Sequence, residues 1–451
     1  MIDHAALRRA VRGEVLVPGD AGFEAAGLPW NRVVDQRVRA VVEVEDAADA
    51  AALVAYAASV GLGVAVQPTG HGASSGLDGQ ILVRTGRMCG VEIRPQERLA
   101  RVEAGAKWGE VLAAAAKHGL TGLAGSSPVV CATGFTLGGG LSWFGRAHGL
   151  AANSVRALDI VDASGARARV TADSDPELFW ALRGGGGDFA MVTAMEIDLY
   201  PAPSLYGGRC LWPISRAEEV MSAFREITAE APDELSLWFT LFQFPPLEEL
   251  PPPLRGMAAV AVDVAFLGEP ATGQALTRPL ERIAGSILDT RGPLPVDELG
   301  TICAEPTEPM PMMYSAQLLA EFGDEAAATL LSAAGRETVG PLLFVQVRHL
   351  GGAFGRATPT AGACGHIAEP YVLGMLGVPA TPELATAVKE RQVAVSEAMA
   401  PYTSGRKPFT FLGEEERAAA AFPEDELARL RDIKRRRDPG GVFRSNFPVL
   451  A

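Results

Sequence analysis

Residues 61–85 read GLGVAVQPTGHGASSGLDGQILVRT, and this stretch decides how the first half of the chain folds. A short run of β-branched and small residues is followed by a loop with four glycines between Gly70 and Gly79, and then by a second apolar run, ILVRT. Both apolar runs have the length of buried strands. The preceding stretch, DAADAAALVAYAASVG at 46–61, is Ala-rich with an Asp-rich first turn and apolar residues at helical spacing, which predicts a helix. Before it, the first forty residues read as a helix leading into PWNRVVDQRVRAVVEV, which ends in a β-branched run. After it, RLARVEAG predicts a strand and WGEVLAAAAKHG a helix. Strands separated by helices point to a domain built on a mixed sheet.

Further along, residues 122–140 are rich in Gly, Ser and Thr and read as a loop ending in LGGG. ALDIVDASGARARVT at 157–171 predicts a hairpin turning at Ala-Ser-Gly. DPELFWALRGGGGDFAMVTAMEIDLYP at 175–201 predicts a short helix, a four-glycine loop and a strand. Pro201 and Pro203 mark a boundary, beyond which residues 204–404 are expected to form a second domain. Its strands are LSLWFTLF, MAAVAVDVAF and, after two helices, PLLFVQVRHL. The final segment, 405–451, contains FPEDELARLRDIKRRRDPGGVF, an amphipathic helix closed by Asp-Pro-Gly-Gly, whose KRRR end at 434–437 reads as a solvated C-terminus favoured by the helix dipole.

With 451 residues, 48% of them apolar, the chain is too long for one hydrophobic core, so two domains are expected. Gly and Pro number 50 and 32, which suits a loop-rich architecture. A net charge of −14 argues against nucleic-acid and anionic-membrane partners, which need a basic footprint. The opening MIDHAALRRAVRGEV lacks an apolar core of signal-peptide length, and no run reaches a membrane span. Five scattered cysteines, none in a metal-type pair, fit a reduced cytoplasmic protein.

Glycine loops let backbone N–H groups approach a pyrophosphate, and this chain has three, at residues 70–76, 134–140 and 184–187. A Rossmann dinucleotide site fits poorly. Gly70-His71-Gly72 is followed by Gly76 and a strand rather than a helix, and no acidic residue ends the next strand.

Four motifs occur in order: QPTGHG, GSSPVVCATGFTLGGGLSWFGRAHGLAANSV, DPELFWALRGGGGDFAMVT and DPGGVFRSNF. Together they resemble the FAD-linked oxidases of the berberine bridge enzyme type, in the vanillyl-alcohol oxidase / p-cresol methylhydroxylase superfamily. The resemblance covers nearly the whole chain and is strongest between residues 60 and 200. It implies an α+β fold. A two-subdomain FAD-binding domain of the p-cresol methylhydroxylase type (1–203, rejoined by 405–451) would be capped by a substrate domain with an antiparallel sheet covered by helices.

The same resemblance implies that His71 joins the flavin 8α-methyl carbon through an imidazole nitrogen. Gly70 and Gly72 would give the ring clearance, with Thr69 and Ala73 beside them. It further implies that Ser126, Ser127, Val130, Thr133, Gly134, Thr136, Gly138 and Gly140 wrap the pyrophosphate. Asn153 and Val192 match positions near the ribitol or adenine, and Asn446 belongs to the closing motif. Many relatives add a second bond from a cysteine to the flavin 6-position. That position here is Ser127, and Cys131 lies four residues on, roughly 13 Å along an extended chain. A single covalent link is therefore expected, with Cys131 as a small buried thiol.

The sequence departs from the family in two places. Pro408-Phe409-Thr410 stands where relatives often carry Tyr-x-Asn, and the strand at 371–378 has no carboxylate where some place a catalytic glutamate. The base is left to His349, His366, Tyr314 and Tyr402. His349 is favoured over its neighbour Arg348, because a neutral imidazole accepts a proton and a guanidinium does not. The expected reaction is hydride transfer from a small alcohol, amine or phenolic substrate to flavin, with molecular oxygen then reduced to hydrogen peroxide. The competing readings are a dehydrogenase with another electron acceptor and a flavin-binding protein without turnover.

Overall fold

The computed structural model describes residues 3–335 and 338–451. Its N-terminal part begins with a four-stranded sheet in which Ala40–Glu43, Ile81–Arg84 and Val64–Val66 run parallel, with Ile81–Arg84 central. Glu14–Leu16 adds an antiparallel edge. Helix Ala47–Val60 links two of these strands, and Asp46 caps it by accepting from the backbone N–H of Ala48 and Asp49. A parallel partner has to be reached from the far end of the sheet. Residues 67–80 make that return without a helix, so His71 lies on a crossover loop beyond the carboxyl end of Val64–Val66. Ahead of residue 40 the expected single helix is two short ones, His4–Ala10 and Phe23–Gly27, separated by the edge strand.

A second sheet is antiparallel throughout, in the order Val91–Arg94, Leu99–Glu103, Met191–Asp198, Val155–Val161, Arg167–Val170. The hairpin at 157–171 lies at its edge as the sequence predicts. The chain then passes to an eight-stranded antiparallel sheet between strands Tyr200–Pro201 and Tyr206–Pro213. Its central order is Tyr206–Pro213, Ala258–Phe266, Leu235–Gln243, Leu342–His349, Tyr371–Gly377, Met313–Leu319. Met313–Leu319, between the two expected helices, is a strand the sequence pattern did not mark.

Alternation along these strands sorts the sheet into two faces. Leu237, Phe239, Val262, Val345, Val347 and Leu373 pack beneath helices Ala217–Ala229, Asp324–Ala334 and Pro382–Met399. The opposite face, with Trp238, Arg348 and Tyr314, turns toward the N-terminal part, where Trp143 stacks on Trp238 at 3.6 Å.

The C-terminal helix Glu424–Arg437 ends differently from the sequence expectation. Arg436 and Arg437 do lie at the surface, paired with Glu177 and Asp175. Lys434, however, is buried, and its ammonium donates to Asp188 O, Asp438 Oδ2 and Phe443 O. It is a cross-link, because the chain folds back immediately after Asp438 and returns to the first sheet, where Phe443 bridges Val64.

Candidate active site

His71 sits on a loop that glycine makes possible. Gly70 has φ +78°, and a Cβ there would meet Pro29 Cβ at 2.8 Å. The indole of Trp30 stacks on the imidazole at 4.4 Å. Nδ1 lies 2.8 Å from Thr69 Oγ1, while Nε2 is buried and has no hydrogen-bond partner. Burial, with a smaller push from the Lys107 ammonium, lowers the imidazole pKa to about 4. At neutral pH the ring is uncharged, one nitrogen is oriented by a hydroxyl, and the other is unengaged. That is the state a nucleophilic imidazole requires.

Residues 126–140, expected as a loop, contain a short helix, Ala132–Leu137. Thr133 and Thr136 are buried on it and their hydroxyls have no partner, nor does the buried hydroxyl of Ser127. Gly140, with φ +74°, lets Ala151 and Phe135 approach to 2.6 Å of where a Cβ would be. The Cβ direction of Gly134 is open, Gly138 faces Thr410, and Val130 accepts from Trp108 N–H through its carbonyl. The Cys131 thiol donates to Ala104 O, and burial pushes its pKa up to about 11, so it is held as an inert thiol.

The closing motif meets the His71 loop. Asn446 Oδ1 accepts from Gln67 Nε2 at 2.8 Å, and its carbonyl accepts from Ser74 Oγ at 2.7 Å. Ser445 Oγ beside it is another buried hydroxyl without a partner. Buried polar groups are nearly always hydrogen-bonded, so unpaired ones call for an explanation. His71 Nε2 and the hydroxyls of Ser127, Thr133, Thr136 and Ser445 lie on the three segments that the family resemblance gives to FAD. The residues present fit that group. The Asn153 amide holds the loop at 362–365 through Gly362 N and Gly365 O, and Val192 is buried in a strand opposite Ile160.

The strand Met313–Leu319 joins this region to the large sheet. Asn31, next to Trp30, donates to Met312 O and accepts from Met312 N. Two residues on, the Tyr314 ring packs 5.2 Å from Phe411, and its hydroxyl lies 2.3 Å from where a Gly374 Cβ would be. Any side chain at 374 would clash with it. The tyrosine hydroxyl occupies space that glycine leaves.

The four base candidates do not converge. Tyr314 alone is on the face turned to the N-terminal part. His349 is on the helix-covered face, where it stacks on Tyr371 and its Nε2 lies 3.0 Å from Arg146 Nη1. Residues 345, 347 and 349 share a side, and Val345 and Val347 fix it as the apolar one. The Gly351–Gly352 turn does not re-aim the ring. Tyr402 packs on the same helical side with its hydroxyl 3.4 Å from Thr329 Oγ1. His366 lies near Glu426 of the C-terminal helix. Arg348, set aside in the sequence reading, is on the Tyr314 face between Trp238 and Phe411. The alternation Val345-Gln346-Val347-Arg348 was the signal that distinguishes it from His349.

Residues 38–171 match the model of an FAD binding domain. Over 212 residues the chain is 33% identical to (R)-6-hydroxynicotine oxidase of Paenarthrobacter nicotinovorans, covering 46% of each. It is 36% identical over 220 residues to an FAD-dependent monooxygenase of Fusarium proliferatum, covering 48% of this chain and 43% of that one. The chain thus matches less than half the length of these curated relatives. Among solved structures, 6-hydroxy-D-nicotine oxidase of Arthrobacter nicotinovorans superposes with TM-score 0.83 at 24% identity, over 96% of this chain and 97% of that one. A berberine bridge enzyme-like protein of Physcomitrella patens superposes with TM-score 0.85 at 18% identity over 99% of both chains. Residues 38–171 thus carry an FAD binding domain, and the chain along its whole length has the fold of the 6-hydroxynicotine oxidase and berberine bridge enzyme-like structures.

Proposed function

We propose that this protein is an FAD-dependent oxidase of a small alcohol, amine or phenolic substrate, with its flavin held by one covalent bond to His71. The observation that carries the reading is the His71 ring, neutral through burial, oriented by Thr69 and left with an unengaged Nε2. Ser127, Thr133 and Thr136 would hold the cofactor's polar portion with their free hydroxyls. When bound, FAD supplies the two-electron acceptor for a hydride from substrate carbon, with molecular oxygen as the final oxidant. The chain's own part is to orient the substrate, exclude water, and accept the proton leaving its O–H or N–H. Tyr314 is the candidate for that proton-handling role, since it lies on the sheet face turned to the N-terminal FAD binding domain and His349 lies on the opposite, helix-covered face. Relatives named as a 6-hydroxynicotine oxidase and a xylooligosaccharide oxidase support oxidation of an amine or alcohol. Five unpaired cysteines agree with a reducing compartment, and we place the protein in the cytoplasm on that ground.

Acid precipitation of the purified protein tests the bond. The yellow chromophore is expected to remain in the pellet, with peptide mapping placing flavin on the His71 fragment and on no cysteine fragment. His71→Ala should release flavin to the supernatant or leave the protein colourless. Wild-type flavin that washes free refutes the covalent assignment, and flavin mass on the Cys131 peptide refutes the single link.

A further inference from the structure

Arg348 is a cation without a protein counter-ion among the described residues, and its setting leaves one way to engage it. Its guanidinium lies 3.8 Å from the Trp238 ring centroid and 5.2 Å from that of Phe411. Both rings lie within cation–π reach of the guanidinium. One edge is occupied, because Nε donates to Gln346 Oε1 at 2.6 Å. Gln346 is itself fixed, with its Nε2 donating to Thr240 Oγ1 at 2.9 Å. The orientation of the fork is therefore set by two neighbouring strands, and its terminal N–H groups make no hydrogen bond among the described residues.

The nearest carboxylate in register is already neutralised. Arg209, Asp263, Trp238 and Arg348 fall in one row across four adjacent strands of the same face. Asp263 is fully buried in a bidentate pair with Arg209, at 2.6 and 3.0 Å, and the Trp238 indole separates that pair from Arg348. Glu305, a carboxylate close enough to influence Tyr314, forms no ion pair with Arg348 among the described residues. Arg348 thus lies on the face that carries Tyr314 with its terminal N–H groups unpaired among the described residues. A partly buried guanidinium is costly unless an anion meets it, and its planar fork matches a carboxylate in two parallel hydrogen bonds.

We infer that the substrate of this site carries a carboxylate, which seats on the terminal N–H groups of Arg348 and turns the oxidised carbon toward the flavin-side face beside Tyr314. The inference rests on the reading of that face as the substrate side of an FAD enzyme and narrows its substrate class to hydroxy, amino or phenolic acids. The hydrogen bond from Nε to Gln346 orients the fork, so a lysine would supply charge without it.

Benzoate and benzamide, equal in shape and unlike in charge, are the probes. Their binding to the oxidised holoenzyme is measured by calorimetry, with tryptophan fluorescence as a second signal from Trp238. Benzoate should bind at least about tenfold more tightly than benzamide, the scale of a charge-assisted bidentate pair, and the preference should shrink as salt rises. R348Q should abolish the preference while leaving benzamide affinity within about twofold, and R348K should retain only part of it. Equal affinities in the wild type, undetectable benzoate binding, or an R348Q protein that keeps the preference overturns the proposal. If R348Q does not fold, the wild-type comparison and its salt dependence decide alone. The readout needs no turnover, so it is separable from the covalent reading: flavin lost to acid refutes the His71 bond, whereas retained flavin without a benzoate preference refutes only the carboxylate site.

Discussion

At His349, burial and a neighbouring cation act in the same direction. The ring is enclosed on the helical side of the sheet beside Arg146, whose guanidinium is held by the carbonyls of Leu235, Ala231 and Leu350. Desolvation first, and the Arg146 charge second, lower the imidazole pKa to about 3. In the unfolded chain the same imidazole titrates near its ordinary 6.5. Below that pH the unfolded state takes up a proton that the native state does not, so this residue's contribution to stability falls as pH drops from 6.5 toward 3. Between pH 7 and pH 5 the loss from this one group is about 2 kcal/mol, and His349→Gln should remove it. Urea unfolding of both proteins at the two pH values measures the difference. If the variant loses as much stability on acidification as the wild type, His349 is not neutral in the folded protein. The residue type made His349 attractive as a base from sequence, and the burial of its neighbours Val345 and Val347 is what places its ring on the helix-covered face.

At the scale of single elements, the strand Leu342–His349 was legible because Val345 and Val347 alternate with Gln346 and Arg348. The strand Met313–Leu319 was not, since MYSAQLL alternates weakly and one of its faces is met by glycine. Helix Ala132–Leu137 was hidden for another reason. Gly134 and two threonines give it poor intrinsic propensity, and tertiary contacts hold it, including Ala132 N–H to Ala106 O and the edge of Phe135 against Trp108. The close fit of Tyr314 over Gly374 gives these strands a testable coupling. A Cβ at 374 would lie 2.3 Å from the phenol oxygen but 3.1 Å from the ring carbon bearing it. Gly374→Ala should therefore cost about 1–3 kcal/mol in the presence of Tyr314, the range for overpacking a core. In a Tyr314→Phe background it should cost measurably less. A double-mutant cycle in urea reads the coupling. Strictly additive costs mean that the hydroxyl does not occupy the space above Gly374.

Over the whole molecule, the chain closes on itself at Lys434, in a way its sequence conceals. KRRR reads as four equivalent surface cations, and three of them do not reveal that the first is enclosed. Asp438 Oδ2 is 2.7 Å from the ammonium and also accepts from Phe443 N–H, while Oδ1 accepts from Val442 N–H. Asp188, whose carbonyl takes a second ammonium proton, uses its own carboxylate to accept from Ser445 and Val449 N–H. This network fixes residues 438–449 and thereby brings Asn446 against Gln67 and Ser74 of the His71 loop. Removing one member of a buried pair leaves the other charge uncompensated, which costs about 3–5 kcal/mol. Lys434→Ala should lower stability by that order, while Arg435→Ala, an exposed position one residue along, should change it by no more than about 0.5 kcal/mol. The C-terminal segment should also loosen, so trypsin ought to cut Lys434→Ala after Arg444 faster than it cuts the wild type at a temperature where both remain folded. If the two substitutions have equal effects on stability, or if cleavage after Arg444 is unchanged, Lys434 does not close the molecule and the return of the C-terminal segment is held by its apolar contacts alone.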